Sequence, residues 1–164
     1  MNVENLTVIS VTQGNDSIGY GNDLGNVITA SQVFGRDGND TLNGYSVLDG
    51  GNGFDVLNGL GPNLKWFILH SQANSTDTVN GYLDGTDLLR ISETEFGISN
   101  AGLATHLFNN TAVASGANNG AELLFDSPNS TLYYDADGVA GGSFAIAILT
   151  GVTASLTTAD FEII

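Results

Sequence analysis

A chain of 164 residues with 41% hydrophobic side chains can form one compact domain or two small ones around a modest core. Eighteen carboxylates stand against three cations, Arg36, Lys65 and Arg90, so the formal charge of −15 argues against nucleic acid or an anionic membrane surface as partner and favours cations. Cysteine is absent, which excludes disulfides and thiolate metal sites, and the longest apolar run, FAIAIL at 144 to 149, is too short to span a bilayer.

No basic segment followed by an apolar run opens the sequence, so export is expected to proceed without a cleaved leader. TQGNDSI at 12 to 18 sets out Gly14, Asp16 and Ile18, and the next loop, 20 to 25, carries Asp23 but ends on Gly25. GRDGNDTLN at 35 to 43 and GGNGFDVLN at 50 to 58 then align position for position at an offset of fifteen residues. Each has Gly at the first and fourth places, Asp at the sixth (Asp40, Asp55), Leu at the eighth and Asn at the ninth.

The apolar residues Ile18, Val27, Val33, Leu42, Leu48, Leu57 and Trp66 are spaced 9, 6, 9, 6, 9 and 9. This alternation predicts a flattened parallel coil in which short strands point one apolar side chain inward. Nine residues leave room for a Gly/Asp loop, six only for a tight connection. Loops 20 to 25, 35 to 40 and 50 to 55 would then share one edge, with TASQ and NGYS turning the other. A second frame takes GNDLGNVIT at 21 to 29 as a degenerate repeat and returns Asp16 to the edge of Asp40 and Asp55.

Gly and Asn permit the positive φ angles that aim backbone carbonyls inward, and Asp completes an oxygen cage of the kind calcium takes. The competing reading is a Gly/Asn-rich solenoid whose Asp residues serve only turn chemistry. G-G-x-G-x-D-x-U-x is the calcium-binding nonapeptide of RTX proteins, and at these two repeats the chain resembles that hemolysin-type family. The candidate calcium ligands are Gly35, Arg36, Asp37, Gly38 and Asp40 in one loop and Gly50, Gly51, Asn52, Gly53 and Asp55 in the next. Asp16, Asp23, Asp77, Asp135 and Asp137 are secondary candidates.

GLGPNLKWF at 59 to 67 keeps the period, but Pro62 replaces the fourth-place Gly and Leu64 the Asp, so the coil is expected to end there under an apolar plug, Trp66 to Leu69. Strand-length runs follow, KWFILH, DTVNGYL, DLLRIS, AELLFD, TLYYD and FAIAIL, with a short helix near 98 to 107. The expected fold is all-β: a short parallel β-roll over 1 to 66, capped by an antiparallel region over 67 to 164. STDTVNGYLDGTDLLRIS at 75 to 92, LYYDADG at 132 to 138 and the closing LTTADFEII resemble the carboxyl-terminal region of type I-secreted RTX proteins. That resemblance implies a terminal export signal at 160 to 164, while DADG also reads as a hairpin turn. His70 and His106 lack HExxH spacing and are expected to be structural.

The sequence carries no GxSxG elbow, no phosphate-binding GK[ST] loop and no paired acids in a defined cleft, so no enzyme activity is expected. The reading that follows is a secreted, monomeric calcium-binding module, ordered by extracellular calcium and exported by type I machinery. A surface, adhesive or glycan-binding module, or the non-catalytic tail of a larger RTX protease, lipase or epimerase, stands as the alternative.

Overall fold

The computed structural model of the chain describes residues 17–109, 120–152 and 154–164. It is mostly β, 46% strand and 10% helical, in a curled mixed sheet. The strands are β1 (Ile18–Tyr20), β2 (Val27–Asp37), β3 (Thr41–Asn52), β4 (Val56–Gly59), β5 (Trp66–Ile68), β6 (Asp77–Asn80) and β7 (Leu88–Ile91), followed by β8 (Leu107–Asn109), β9 (Glu122–Asp126), β10 (Thr131–Asp135), β11 (Phe144–Leu149) and β12 (Phe161–Ile163). Two four-residue helices, α1 (Glu93–Phe96) and α2 (Leu103–His106), lie between β7 and β8, the second inside the stretch where the sequence predicts a helix.

Two parallel ladders organise the sheet. The first half of β2 pairs with the first half of β3, which pairs with β4, then β6, then β11. β1 pairs with the second half of β2, followed by the second half of β3, then β5, β7 and β12. Because strand side chains alternate between faces, β4, β5 and β6 each turn one apolar residue inward, whereas β7 buries both Leu89 and Ile91. Register partners Ile28, Leu42, Leu57, Val79 and Leu149 make one core column, each 0% exposed, and Val33, Leu48, Phe67, Leu89 and Phe161 make the other.

The structure corrects the inward set at both ends. Ile18 and Val27 are each 44% exposed; Gly19 and Ile28 take the inward places, packed so closely that a Cβ at Gly19 would overlap Ile28. At β5 it is Phe67 that is fully buried, while Trp66 on the other face is half-buried, with the Arg90 guanidinium 4.9 Å from the centre of its ring. A one-residue slip reverses a strand's faces, and the doublets Val27-Ile28 and Trp66-Phe67 offer an apolar side chain to either face.

Parallel pairing also runs on past residue 66. Trp66, Phe67 and Ile68 are a ladder strand with β7 stacked on it, where the sequence predicts a plug, and strands β4 to β6 and β5 to β7 are offset by 22 residues in place of 15. Among the strands of the described residues, antiparallel pairing is confined to β9, β10 and β11, with the DADG segment beginning the hairpin between the last two. TASQ and NGYS are bends inside the long strands β2 and β3, where the register shifts by one residue and the Ser31 and Ser46 hydroxyls meet at 3.1 Å.

Phe67→Ala is expected to cost about 3–5 kcal/mol by loss of burial and cavity formation. Trp66→Ala, which removes a half-buried ring, should cost about half that or less. Denaturant unfolding of the two variants measures this order, and the reverse order would place Trp66 in the core.

Candidate cation site

Loops 35 to 40 and 50 to 55 lie directly on one another, Arg36 opposite Gly51 and Asp37 opposite Asn52. Their second places share a left-handed backbone, φ 85° at Arg36 and 86° at Gly51, and so do their fourth places, 110° at Gly38 and 145° at Gly53. Glycine is required where the coils touch: a Cβ at Gly51 would overlap the Arg36 carbonyl oxygen, and one at Gly53 the Gly38 carbonyl oxygen. Cross-coil bonds hold the stack, with Gly38 N donating to Asn52 O at 2.9 Å, Asn52 Nδ2 to Asp37 Oδ1 at 2.6 Å and Phe54 N to Asn39 Oδ1 at 3.0 Å.

Behind the loops runs a column of buried carboxylates. Asn26 N donates to Asp40 Oδ1 at 2.7 Å, Asp40 N to Asp55 Oδ1 at 2.7 Å and Asp55 N to Asp77 Oδ1 at 3.1 Å. The three acids are 1%, 1% and 3% exposed. Each carboxylate thus receives the amide that opens the strand of the preceding coil. The second oxygens of Asp40 and Asp55 are buried with no hydrogen-bond partner. They lie against the Cα of Gly35 and Gly50, where a Cβ would overlap them, and the Gly50 carbonyl oxygen is 2.5 Å from the Cβ position of Gly35.

The first coil settles the choice of frame. Asn26 occupies the sixth place, its Oδ1 accepting from Asn22 N at 2.8 Å, so the repeat runs from Gly21 as GNDLGNVIT and Gly25 is not the sixth residue. Asp23 is exposed and outside the column. Asp16 lies outside the described residues. Asp77 joins the column although no glycine motif precedes it; Ser75 shapes that coil, accepting from Gly53 N at 3.0 Å and donating to Gly53 O at 2.7 Å. The first frame missed Asn26, which the second frame places sixth, and neither gave the alignment of Asp77, because one coil is a residue short and the other is seven residues longer than fifteen.

Asp135 and Asp137 sit apart, with β11 between β10 and β6. Asp135 Oδ1 accepts from Asp137 N at 3.1 Å and Gly138 N at 2.7 Å, and Asp137 Oδ1 from Val139 N at 2.9 Å, the bonding of a hairpin turn; Asp135 Oδ2 is buried without a partner. His70 bridges Asp49 (3.0 Å) and Glu95 (3.3 Å), and His106 Nδ1 lies 2.6 Å from the Ala121 carbonyl oxygen. Among the described residues no three His, Asp or Glu side chains converge on one point as a metal group. Any ion at loops 35 to 40 and 50 to 55 would therefore draw much of its shell from backbone carbonyls, and an all-oxygen set of this kind suits calcium.

The opposite edge repeats the arrangement with a different charge. Lys65 N donates to Asp87 Oδ1 at 2.9 Å, as Asp40 N does to Asp55. Here the side chain in the Asp position is an ammonium: Lys65 Nζ stands 3.1 Å from Asp87 Oδ2, 3.2 Å from Gly61 O and 3.1 Å from Asn63 O, and both side chains are fully buried.

Burial is the main cause that raises the column's acids, Asp77 to about 8, Asp55 to about 6 and Asp40 above its ordinary value. The neighbouring charge of Asp55 adds to the rise at Asp77, and that of Asp40 to the rise at Asp55, while the amide bonds oppose it. His70 is raised to about 9, chiefly by its hydrogen bond to Asp49.

Compared with family models, with curated proteins and with solved structures, the chain has no match.

A raised pKa favours the protonated form in the folded state, so this stabilisation is complete below the unfolded value and is lost as pH rises through the folded one. In metal-free buffer the melting temperature should therefore fall between about pH 4 and pH 8 as Asp55 and then Asp77 ionise, and fall further toward pH 9 as His70 loses its proton. Asp77→Asn, which keeps the oxygen acceptor, should flatten the slope below pH 8. Thermal melts of both proteins across this range test the assignment, and an equally steep slope in the variant would contradict it.

Proposed function

We propose that the chain is a calcium-binding module of the RTX type whose folding is completed by extracellular calcium. The observation that carries this reading is the pair of buried, partnerless carboxylate oxygens on Asp40 and Asp55, set behind two loops whose left-handed positions match rung by rung. In this reading the two parallel ladders are the faces of a β-roll. Asp40 and Asp55, with backbone carbonyls of 35 to 38 and 50 to 53, would hold the ion, and Asp77 would complete the column. Calcium would add to the positive charge that His70 already lends Asp55 and Asp77.

The chain's residues divide the work. The glycines keep carbonyls and carboxylates close together, the amides orient each Asp through one oxygen, and the other oxygen is left for a cation. Two unit charges about 4 Å apart repel by roughly 4 kcal/mol at an effective dielectric of 20, so stacked carboxylates in a dry column need a counter-charge or a proton. Extracellular calcium modules bind with Kd of about 10⁻⁴ to 10⁻³ M, so such a site stays empty in a low-calcium cytosol and fills outside the cell. The segment 160 to 164 would act as a type I export signal while the chain is unfolded and become strand β12 afterwards.

Calcium at a hundredfold excess over Kd should stabilise the fold by about 2.7 kcal/mol per independent site. Asp40→Asn and Asp55→Asn retain the amide acceptor but remove the charge, and each should abolish most of that gain while leaving stability in chelator unchanged or higher. Circular dichroism melts with calcium and with chelator read this out; superimposable curves for the unmutated chain would rule the reading out. Removal of residues 160 to 164 should stop release of the chain by cells carrying a type I exporter, and undiminished release would refute the export assignment.

A further inference from the structure

Both edges are built on the same rung, a carboxylate accepting the amide that opens the strand of the preceding coil. On one edge the residue bearing that amide is an acid, Asp40 or Asp55, with an oxygen left unpartnered. On the other it is Lys65, whose side chain folds back into its own loop. There Nζ meets two loop carbonyls, Gly61 O and Asn63 O, and the Asp87 carboxylate, all at 3.1 to 3.2 Å. Carbonyls of a loop together with the Asp of the next coil are the donor types that a cation would use at loops 35 to 40 and 50 to 55. The ammonium is a compact positive charge with three donors, and it is fully buried among these oxygens. The Lys stem also takes up the space over the glycine that ends β4, its Cε 2.7 Å from the Cβ position of Gly59.

We infer that Lys65 is a built-in cation occupying what is otherwise a metal site, formed by Gly61 O, Asn63 O and the Asp87 carboxylate, and that acid or lysine at this position decides whether a coil closes with a metal ion or without one. The inference extends the calcium reading to the opposite edge and rests on it for the identity of the exchanging ion. It explains how loop 59 to 64 can lack the fourth-place glycine and sixth-place acid yet stack as an ordered coil: its counter-charge is covalently attached. Removing one partner of a buried ion pair leaves a charge that demands compensation. The Asp87 carboxylate and the two carbonyls, with water in the remaining positions, would recruit calcium once the ammonium is gone.

The experiment compares the unmutated chain, Lys65→Ala and Asp55→Lys by calcium titration calorimetry and by melting in chelator and in calcium. Lys65→Ala should melt lower than the unmutated chain in chelator, bind one more calcium ion per chain, and recover in calcium by a larger margin than the unmutated chain gains. Asp55→Lys should bind fewer ions and fold in chelator, its melting temperature responding less to calcium. Unchanged stoichiometry in Lys65→Ala, or failure of both variants to fold even in saturating calcium, would overturn the inference, since it requires ammonium and metal to be exchangeable. The calcium reading fails separately, if the unmutated chain binds no calcium, and a gain confined to Lys65→Ala would then uphold the exchange at Lys65 alone.

Discussion

The structure depends on a repeated bond between a strand-opening amide and an aspartate of the next coil. Asn26, Asp40, Asp55 and Asp77 are linked in this way on one edge, Lys65 and Asp87 on the other. A buried amide without an acceptor is costly, so each coil needs a side-chain oxygen where the strand begins. Using carboxylates for that purpose satisfies the backbone but concentrates negative charge in a column shielded from water. That charge is met in two ways: by burial-raised protonation on one edge, and by a lysine on the other.

Within the stacked ladders the apolar core is two columns, and it continues into Phe96, Ile98, Leu123, Phe125, Leu132 and Ile146 of the later elements. Strands β4 and β6 each bury a single apolar side chain, Leu57 and Val79, so stacking on their neighbours supplies the rest of their buried surface. Outside the core the ladders are stitched by polar side chains in register. Asn58 Nδ2 donates to Asn43 Oδ1 at 3.0 Å and Asn80 Nδ2 to Asn58 Oδ1 at 2.9 Å, so the asparagines of successive coils continue across the change from a 15- to a 22-residue offset.

The final third of the chain closes both ladders. Strand β11 joins the first beside β6 and β12 joins the second beside β7, so residues far apart in sequence finish the same two stacks. Polar contacts lock these returns: Thr76 Oγ1 donates to Ala145 O at 2.8 Å, Tyr82 OH to Asp160 Oδ1 at 3.0 Å, and Arg90 forms two bonds to Glu162 Oε2 at 2.9 and 2.7 Å. Such contacts carry a high loop-closure cost, met only once the coils they cap are in place.

By itself the sequence determined the β character, the stacking of the two Gly/Asp loops fifteen residues apart, and the hairpin across DADG. These are local: glycine at positive φ, a fixed offset and a turn signal are each written within a few residues. Tertiary structure decided the rest. It chose Ile28 and Phe67 over Val27 and Trp66, because either member of an apolar doublet satisfies the alternation and only the neighbouring strands select a face. It carried the parallel ladders through β5, β6 and β7, because two 22-residue coils can stack as well as 15-residue ones when their opening amides find Asp77 and Asp87. It also brought Lys65 into a cage of oxygens, a role invisible in the sequence because its partners, Gly61 O, Asn63 O and Asp87, become neighbours only when one coil lies on the next.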